Sequence, residues 1–241
     1  EAGVAEFDNV VFENNQALGA NSGLGGAIYN QSTADGISLN ITNSDFINNS
    51  SRAFGGAIIN LGGGVNIENS TFTGNYTTAG AGQGGAILNA ADMTISNSAF
   101  SGNHTVNYGG AIATSLSASG SDDVAGHNIN LVINNTLFEG NYADSGGAIY
   151  NAGGSGSTPE GENYLNTITI TSGSRFENNY AVNARDGQGG AIYNAAAIDS
   201  ANANGIVNIE GTADSAVVFD SNIASRGGAI SNQGILNVDN A

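Results

Sequence analysis

The chain has 241 residues, of which 40% are hydrophobic, 37 are glycine and only 10% are charged. It contains four arginines, no lysine and no cysteine, and its formal net charge is -17. A phosphate backbone requires cationic contacts, so this balance argues against a nucleic-acid partner and disfavours anionic membranes. No apolar run approaches the roughly 18 residues that span a bilayer, so we expect no membrane insertion of this segment.

The first complete repeat, residues 25–49, contains three short segments of β character separated by polar turns. The first segment is Gly-Gly-Ala-Ile-Tyr-Asn. The second is Ile37-x-Leu39-x-Ile41, whose strict alternation is typical of a half-buried strand. The third begins at Phe46. None of the three carries a helical period.

The same cycle recurs along the whole chain. Gly-Gly-Ala-Ile begins at Gly25, Gly55, Gly84, Gly109, Gly146, Gly189 and Gly227. Phe-x-x-Asn begins at Phe12, Phe46, Phe72, Phe100, Phe138, Phe176 and Phe219. Repeats of roughly 25 to 43 residues are typical of solenoids. We therefore predict an all-β parallel β-helix with three strands per rung and about seven rungs, in which copies pair about 4.8 Å apart.

Variation between copies predicts which side chains point inward. The Ile of Gly-Gly-Ala-Ile never changes and is expected to face the core, whereas the next position varies and is expected to face solvent. Two residues after that Ile, an Asn is predicted to stack as a structural ladder through its amide. The ladder residues are Asn30, Asn60, Asn89, Asn151, Asn194 and Asn232, with Thr114 in the fourth copy. The Asn that closes Phe-x-x-Asn is expected to stack at another corner.

The paired motifs resemble the repeat of the polymorphic membrane proteins, a family of autotransporter passenger domains best known from chlamydiae. The resemblance covers the whole chain in seven matched pairs. It implies a right-handed β-helix displayed on a Gram-negative cell surface, outside the outer membrane, with a role in adhesion. Members of the family usually contain cysteine, which this chain lacks. The C-terminal β-barrel of the family is also missing from it.

Loop length varies most at one corner. Three consecutive repeats carry long segments between the first and second strands, at 115–128, 152–167 and 195–206. Insertions on one face of a solenoid often form its binding face, although surface loops also lengthen at little cost. Candidate binding residues in these repeats are Tyr142, Tyr150, Tyr180, Tyr193 and Tyr164, together with Asp122, Asp123, Glu160 and Glu162. A simple aromatic stack between neighbouring strands would equally explain the tyrosines.

The sequence offers little chemistry beyond binding. Adjacent Asp122 and Asp123 lie on a Gly/Ser-rich segment, which is a poor place to fix the carboxylate geometry that a glycosidase needs. His104 and His127 lack triad or metal-ligand spacing. The four loop carboxylates are only a weak calcium signal. We therefore predict no cofactor and no enzymatic activity.

The sequence thus predicts a single β-helix domain over residues 1–241, either a fragment of a longer passenger or a stacking subunit. The favoured function is a cell-surface adhesin or interaction scaffold that binds a host-cell or bacterial surface protein or glycan. The alternative is a structural subunit of an extracellular filament that associates head to tail. A polysaccharide-active β-helix enzyme is the third interpretation.

Overall fold

A computed structural model describes residues 4–19, 23–32, 36–115, 128–154, 164–183, 185–196 and 205–240. Within these ranges all regular elements are β-strands, and the strands pair in parallel. They form three long sheets and one row of very short strands.

Sheet A has eight strands: β1 (Ala5–Asp8), β5 (Ile37–Thr42), β9 (Gly64–Glu68), β13 (Met93–Ser96), β16 (Ile129–Asn134), β20 (Asn166–Thr171), β24 (Ile206–Gly211) and β27 (Ile235–Asn240). Sheet B has seven: β2 (Val11–Glu13), β6 (Asp45–Ile47), β10 (Thr71–Thr73), β14 (Ala99–Ser101), β17 (Leu137–Glu139), β21 (Arg175–Glu177) and β25 (Val218–Asp220). Sheet D also has seven: β4 (Ile28–Asn30), β8 (Ile58–Asn60), β12 (Ile87–Asn89), β15 (Ile112–Thr114), β19 (Ile149–Asn151), β23 (Ile192–Asn194) and β26 (Ile230–Asn232).

Row C lies between sheets B and D. It consists of the two-residue strands β3 (Gln16–Ala17), β7 (Ser50–Ser51), β11 (Tyr76–Thr77), β18 (Tyr142–Ala143) and β22 (Tyr180–Ala181). Isolated bridges from His104 to Tyr76 and to Tyr142 connect the two halves of the row. The three long sheets confirm the prediction of three strands per rung, and row C adds a short two-residue strand to most turns.

Every turn of the chain visits the sheets in the same order, and every strand pairs with its copies one turn away. Phe72, for example, is in register with Phe46 and Phe100, and Ile87 is in register with Ile58 and Ile112. The architecture is therefore a parallel β-helix, as the repeats predict.

Columns of identical side chains fill the interior. Phe46, Phe72 and Phe100 are fully buried, and their neighbouring ring centroids lie 4.6 Å apart with nearly parallel planes. The strand spacing of about 4.8 Å sets this distance, so each ring packs against its own copy. A column of isoleucines lines the inner face of sheet D in the same core.

The two glycines of each Gly-Gly-Ala-Ile motif are needed for different physical reasons. The first adopts a left-handed backbone conformation, with φ of 66° at Gly84 and 69° at Gly109. The second lies against the next turn, where a Cβ on Gly85 would overlap the Gly110 carbonyl oxygen. Positive φ and close approach to the next turn thus apply to separate residues.

The Asn of Phe-x-x-Asn forms a buried amide ladder. The main-chain N and the Nδ2 of Asn103 both donate to Asn141 Oδ1, each at 3.0 Å. Asn103 Nδ2 also donates to the Phe72 carbonyl at 2.8 Å. The ladder runs through Asn15, Asn49, Asn75, Asn103, Asn141, Asn179 and Asn222. Each interior amide of the ladder, like Asn103, therefore connects the preceding turn to the following one.

A second ladder follows sheet D. Asn30 donates to Asn60 and Asn60 to Asn89, at 2.7 and 2.9 Å, and Asn151 donates to Asn194 and Asn194 to Asn232, at 2.9 and 2.7 Å. At the fourth turn, the Thr114 hydroxyl donates to Asn151 Oδ1 at 2.6 Å, and the Asn89 amide donates instead to the Ala91 carbonyl.

Two features differ from the sequence prediction. A hydroxyl ladder joins sheets A and B, in which the Ser44 main-chain N donates to Ser70 Oγ and the Ser70 N to Ser98 Oγ, both at 3.1 Å. The sequence showed these serines only as polar turn residues.

Ile37, predicted to alternate inward with Leu39 and Ile41, is exposed because a β-bulge shifts the register beside it.

Replacing Ile149 by Ala should lower the free energy of unfolding by about 2–5 kcal/mol, because it leaves a cavity between Ile112 and Ile192. Urea denaturation followed by circular dichroism measures the loss. Val132→Ala, on the exposed face of sheet A, is the matched control and should cost much less. Equal losses in the two variants would contradict the inward placement of Ile149.

Replacing Asn151 by Leu should also destabilise the fold, because the buried Thr114 hydroxyl and Asn194 amide lose a partner. The cost is about 1–3 kcal/mol for each buried group left unpaired. Asn151→Thr should cost less, since Thr already occupies this column in the fourth turn. A Leu variant as stable as the parent chain would show that this ladder contributes nothing.

Candidate interaction surface

The outer face of sheet D is buried from β8 to β23, whereas Tyr29 in β4 is exposed. The residue after each conserved Ile was predicted to face solvent, and for Tyr150 and Tyr193 this prediction is wrong. Their exposed fractions are 7% and 9%, and Leu88 in the same column is fully buried. These side chains form a second apolar cluster with Leu61, Ala90, Ala152 and Ala195, against which Leu24, Phe54 and Tyr108 pack.

The buried tyrosines are held in place by their neighbours. The rings of Tyr108 and Tyr150 stack with centroids 4.5 Å apart, and the Tyr193 hydroxyl donates to Gln233 Oε1 at 3.0 Å. Burial raises the pKa of both Tyr150 and Tyr193, with a further contribution from nearby Tyr108. They support the outer layer of sheet D and do not provide an exposed anchor.

The three long loops leave the solenoid at one corner, as their positions in the repeat imply. Strands β15, β19 and β23 end at Thr114, Asn151 and Asn194, which are register partners. Most of the loop residues, including Asp122, Asp123, Glu160 and Glu162, lie outside the described residues. Tyr164, at the end of the second loop, is partly buried.

Row C carries a column of aromatic side chains, two of which are exposed; Tyr29 in β4 is also exposed. We call Tyr76, His104, Tyr142 and Tyr180 the aromatic ribbon, because they occupy one column in four successive turns. The His104 ring lies 5.1 Å from Tyr76 and 4.6 Å from Tyr142 between centroids, with planes within 6° of parallel. Tyr142 and Tyr180 are 39% and 44% exposed.

The alternation of side chains along row C explains this exposure. Ala143 and Ala181 follow the ribbon tyrosines directly and are buried, so the tyrosines point away from the core. The next outward positions in three successive turns hold Val106, Asp144 and Val182, and the two valines are exposed. The ribbon is therefore flanked by two exposed valines, with Asp144 between them.

His104 is the member of the ribbon whose side chain ordinarily titrates near neutral pH. Burial between the two tyrosine rings lowers its pKa, because the imidazolium is poorly solvated there. Its Nδ1 is buried without a hydrogen-bond partner. The sequence showed that His104 shares a column with tyrosines, but the stack that buries it appears only once the turns are superposed.

The described ranges do not bring metal-binding chemistry together. No group of three or more His, Asp or Glu among these residues could hold a metal ion. The same part of the chain contains no helix long and apolar enough to cross a membrane.

The self-paired sheets and stacked columns define a parallel β-helix built from one repeated unit. Four segments, residues 9–31, 135–152, 173–195 and 216–233, match the model of the Chlamydia polymorphic membrane protein repeat. Each matched segment contains one Phe-x-x-Asn and one Gly-Gly-Ala-Ile. The chain thus carries this repeat, which confirms the resemblance seen in its motifs. No curated protein and no solved structure gives a significant match.

His104→Tyr should remove part of the acid sensitivity of the fold. The pKa of His104 in the folded chain lies below its ordinary value of 6.5. Above 6.5 the imidazole is neutral in both states, and as the pH falls from there to the folded pKa the unfolded chain takes up the proton more readily. The parent chain should therefore lose more stability than the variant between about pH 7 and 5. Parallel stability curves for the two proteins would contradict this assignment.

Proposed function

We propose that this chain is a non-catalytic adhesin or interaction scaffold displayed on the surface of a Gram-negative cell. The repeat that it carries supports surface display, since its family model describes a polymorphic membrane protein. An autotransporter passenger is the form of display that the resemblance favours. The partner would be a protein or glycan on a host cell or another bacterium.

The observation that carries the proposal is the exposed aromatic ribbon. The repeated Phe, Ile, Gly and Asn residues are engaged in stacking or hydrogen bonding within the solenoid, so they are not free to bind a partner. Tyr142 and Tyr180 are repeated, aromatic and exposed together. Exposed apolar groups that lie side by side typically mark an interaction site.

The loops at 115–128, 152–167 and 195–206 are the second part of the proposed surface. They leave one corner in three consecutive turns, beside β15, β19 and β23. Loops displayed by a rigid scaffold commonly carry binding function. Because Tyr150 and Tyr193 are buried beneath that face, the loops themselves would make the contact.

The alternative, a filament subunit that associates head to tail, stays a prediction. Val11 in the first turn and Val238 in the last are each 58% exposed on open strand edges. A second copy of the chain would cover them, and so would further turns of a longer solenoid. The ribbon, by contrast, lies on the side of the solenoid.

Adhesion of coated beads tests the proposal. Beads carrying the chain should bind cultured host cells or other bacteria, and a variant with the three loops shortened to the length of the early ones should bind less while keeping its β-sheet circular dichroism. Beads carrying urea-unfolded chain are the control. If beads carrying the folded chain bind no cell type better than these control beads do, the adhesin function is contradicted.

If the loop-shortened variant binds as well as the parent chain, the loops are not the adhesive surface. Adhesion would then be assigned to the aromatic ribbon, which the shortened loops leave unchanged.

A further inference from the structure

An acidic row runs beside the aromatic ribbon. Glu139, Glu177 and Asp220 end strands β17, β21 and β25, and they are register partners in sheet B. Two residues turn the corner from Glu139 to Tyr142, and two more turn it from Glu177 to Tyr180 in row C. The row and the ribbon are therefore parallel stripes along the same edge of the solenoid.

The stacking that builds the solenoid places like charges together in this row. Adjacent strands lie about 4.8 Å apart, and like charges at directly paired positions repel. Arg175 neutralises only Glu177, with its Nε 2.6 Å from Glu177 Oε1. Among the described residues, Glu139 and Asp220 have no ion-pair partner. Glu139 and Asp220 therefore lie on either side of the neutralised Glu177 as carboxylates with which a cationic partner can pair.

The ribbon's geometry favours a protein over a sugar. A sugar ring binds an aromatic side chain by lying on its face, but both faces of His104 are covered by Tyr76 and Tyr142. The three stacked rings are Tyr76, His104 and Tyr142, and these three present mainly their edges outward. Together with exposed Val106 and Val182, such edges fit the apolar side chains of a protein segment.

We propose that the aromatic ribbon and the acidic row form one docking surface for a basic, partly apolar protein segment. This inference rests on the proposed function and specifies its partner. The apolar stripe supplies the contact, and the carboxylates beside it select Lys or Arg on the partner. The net charge of -17 attracts such a partner from a distance, and the row provides local complementarity.

Two synthetic peptides of equal length test the surface, one alternating Lys and Leu and the other alternating Glu and Leu. Fluorescence anisotropy should show that the Lys peptide binds the folded chain, more weakly as salt rises, and that the Glu peptide does not. Binding of both peptides alike, or of neither, would overturn the proposal.

Substitutions separate this surface from general attraction to an acidic protein. Tyr142→Ser with Tyr180→Ser should weaken the Lys peptide by about tenfold or more, as loss of central aromatic contacts does in other interfaces. Serine is tolerated in this column, because Ser50 occupies it in the second turn. Unfolding in urea checks that the variant remains stable.

Two double variants, each lacking two carboxylates, test the contribution of the acidic row. Glu139→Gln with Asp220→Asn should weaken the peptide and flatten its salt dependence, whereas Glu6→Gln with Glu210→Gln, on sheet A, should change neither. Equal effects of the two pairs would overturn the docking surface. The difference between the two double variants in the peptide assay reports on this surface, and bead adhesion reports on the proposed function, so failure of one is distinguishable from failure of the other.

Discussion

In-register backbone pairing between successive turns is the constraint on which the rest of this structure depends. A parallel strand spacing of about 4.8 Å brings each side chain against its own copy one turn away. Phenyl rings tolerate this because offset-stacked rings prefer a similar separation, as between Phe46 and Phe72. Amides tolerate it because each is both donor and acceptor, as Asn103 is. Residues that cannot contact themselves favourably are therefore excluded from the inner columns.

The same constraint limits where function can lie. The motif residues hold the turns together, so changing them disrupts the scaffold before it affects any partner. Outward positions are less restricted, and their columns vary from turn to turn. An outward column that nevertheless keeps similar side chains, as row C does from Tyr76 to Tyr180, is therefore informative about binding. The acidic row differs, because stacking Glu139 on Glu177 is unfavourable in itself and Arg175 offsets it by pairing with Glu177.

Much of the fold, and the shared column of two candidate binding residues, could be predicted from the sequence. The strand positions, the inward Phe and Ile columns and both Asn ladders are visible as repeated residues, since each column recurs once per turn. Tyr142 and Tyr180 were found by the same repetition. The short strands of row C were missed, because two-residue strands have no periodicity of their own. The Ser44 ladder was missed because serine is equally common in an unbonded turn.

What the sequence by itself determined is the set of contacts between equivalent residues, because stacking pairs each position with its own copy. What the tertiary structure decided is every contact between different positions. Tyr150 and Tyr193 occupy a variable column that appeared to face solvent, yet Phe54, Leu61 and Tyr108 come from other columns and cover that face. The repeat period of the sequence does not reveal such contacts, because only the bends between strands bring these partners together. The repeated residues therefore determine the solenoid fold, whereas the bends between strands determine which outer side chains remain exposed for a partner.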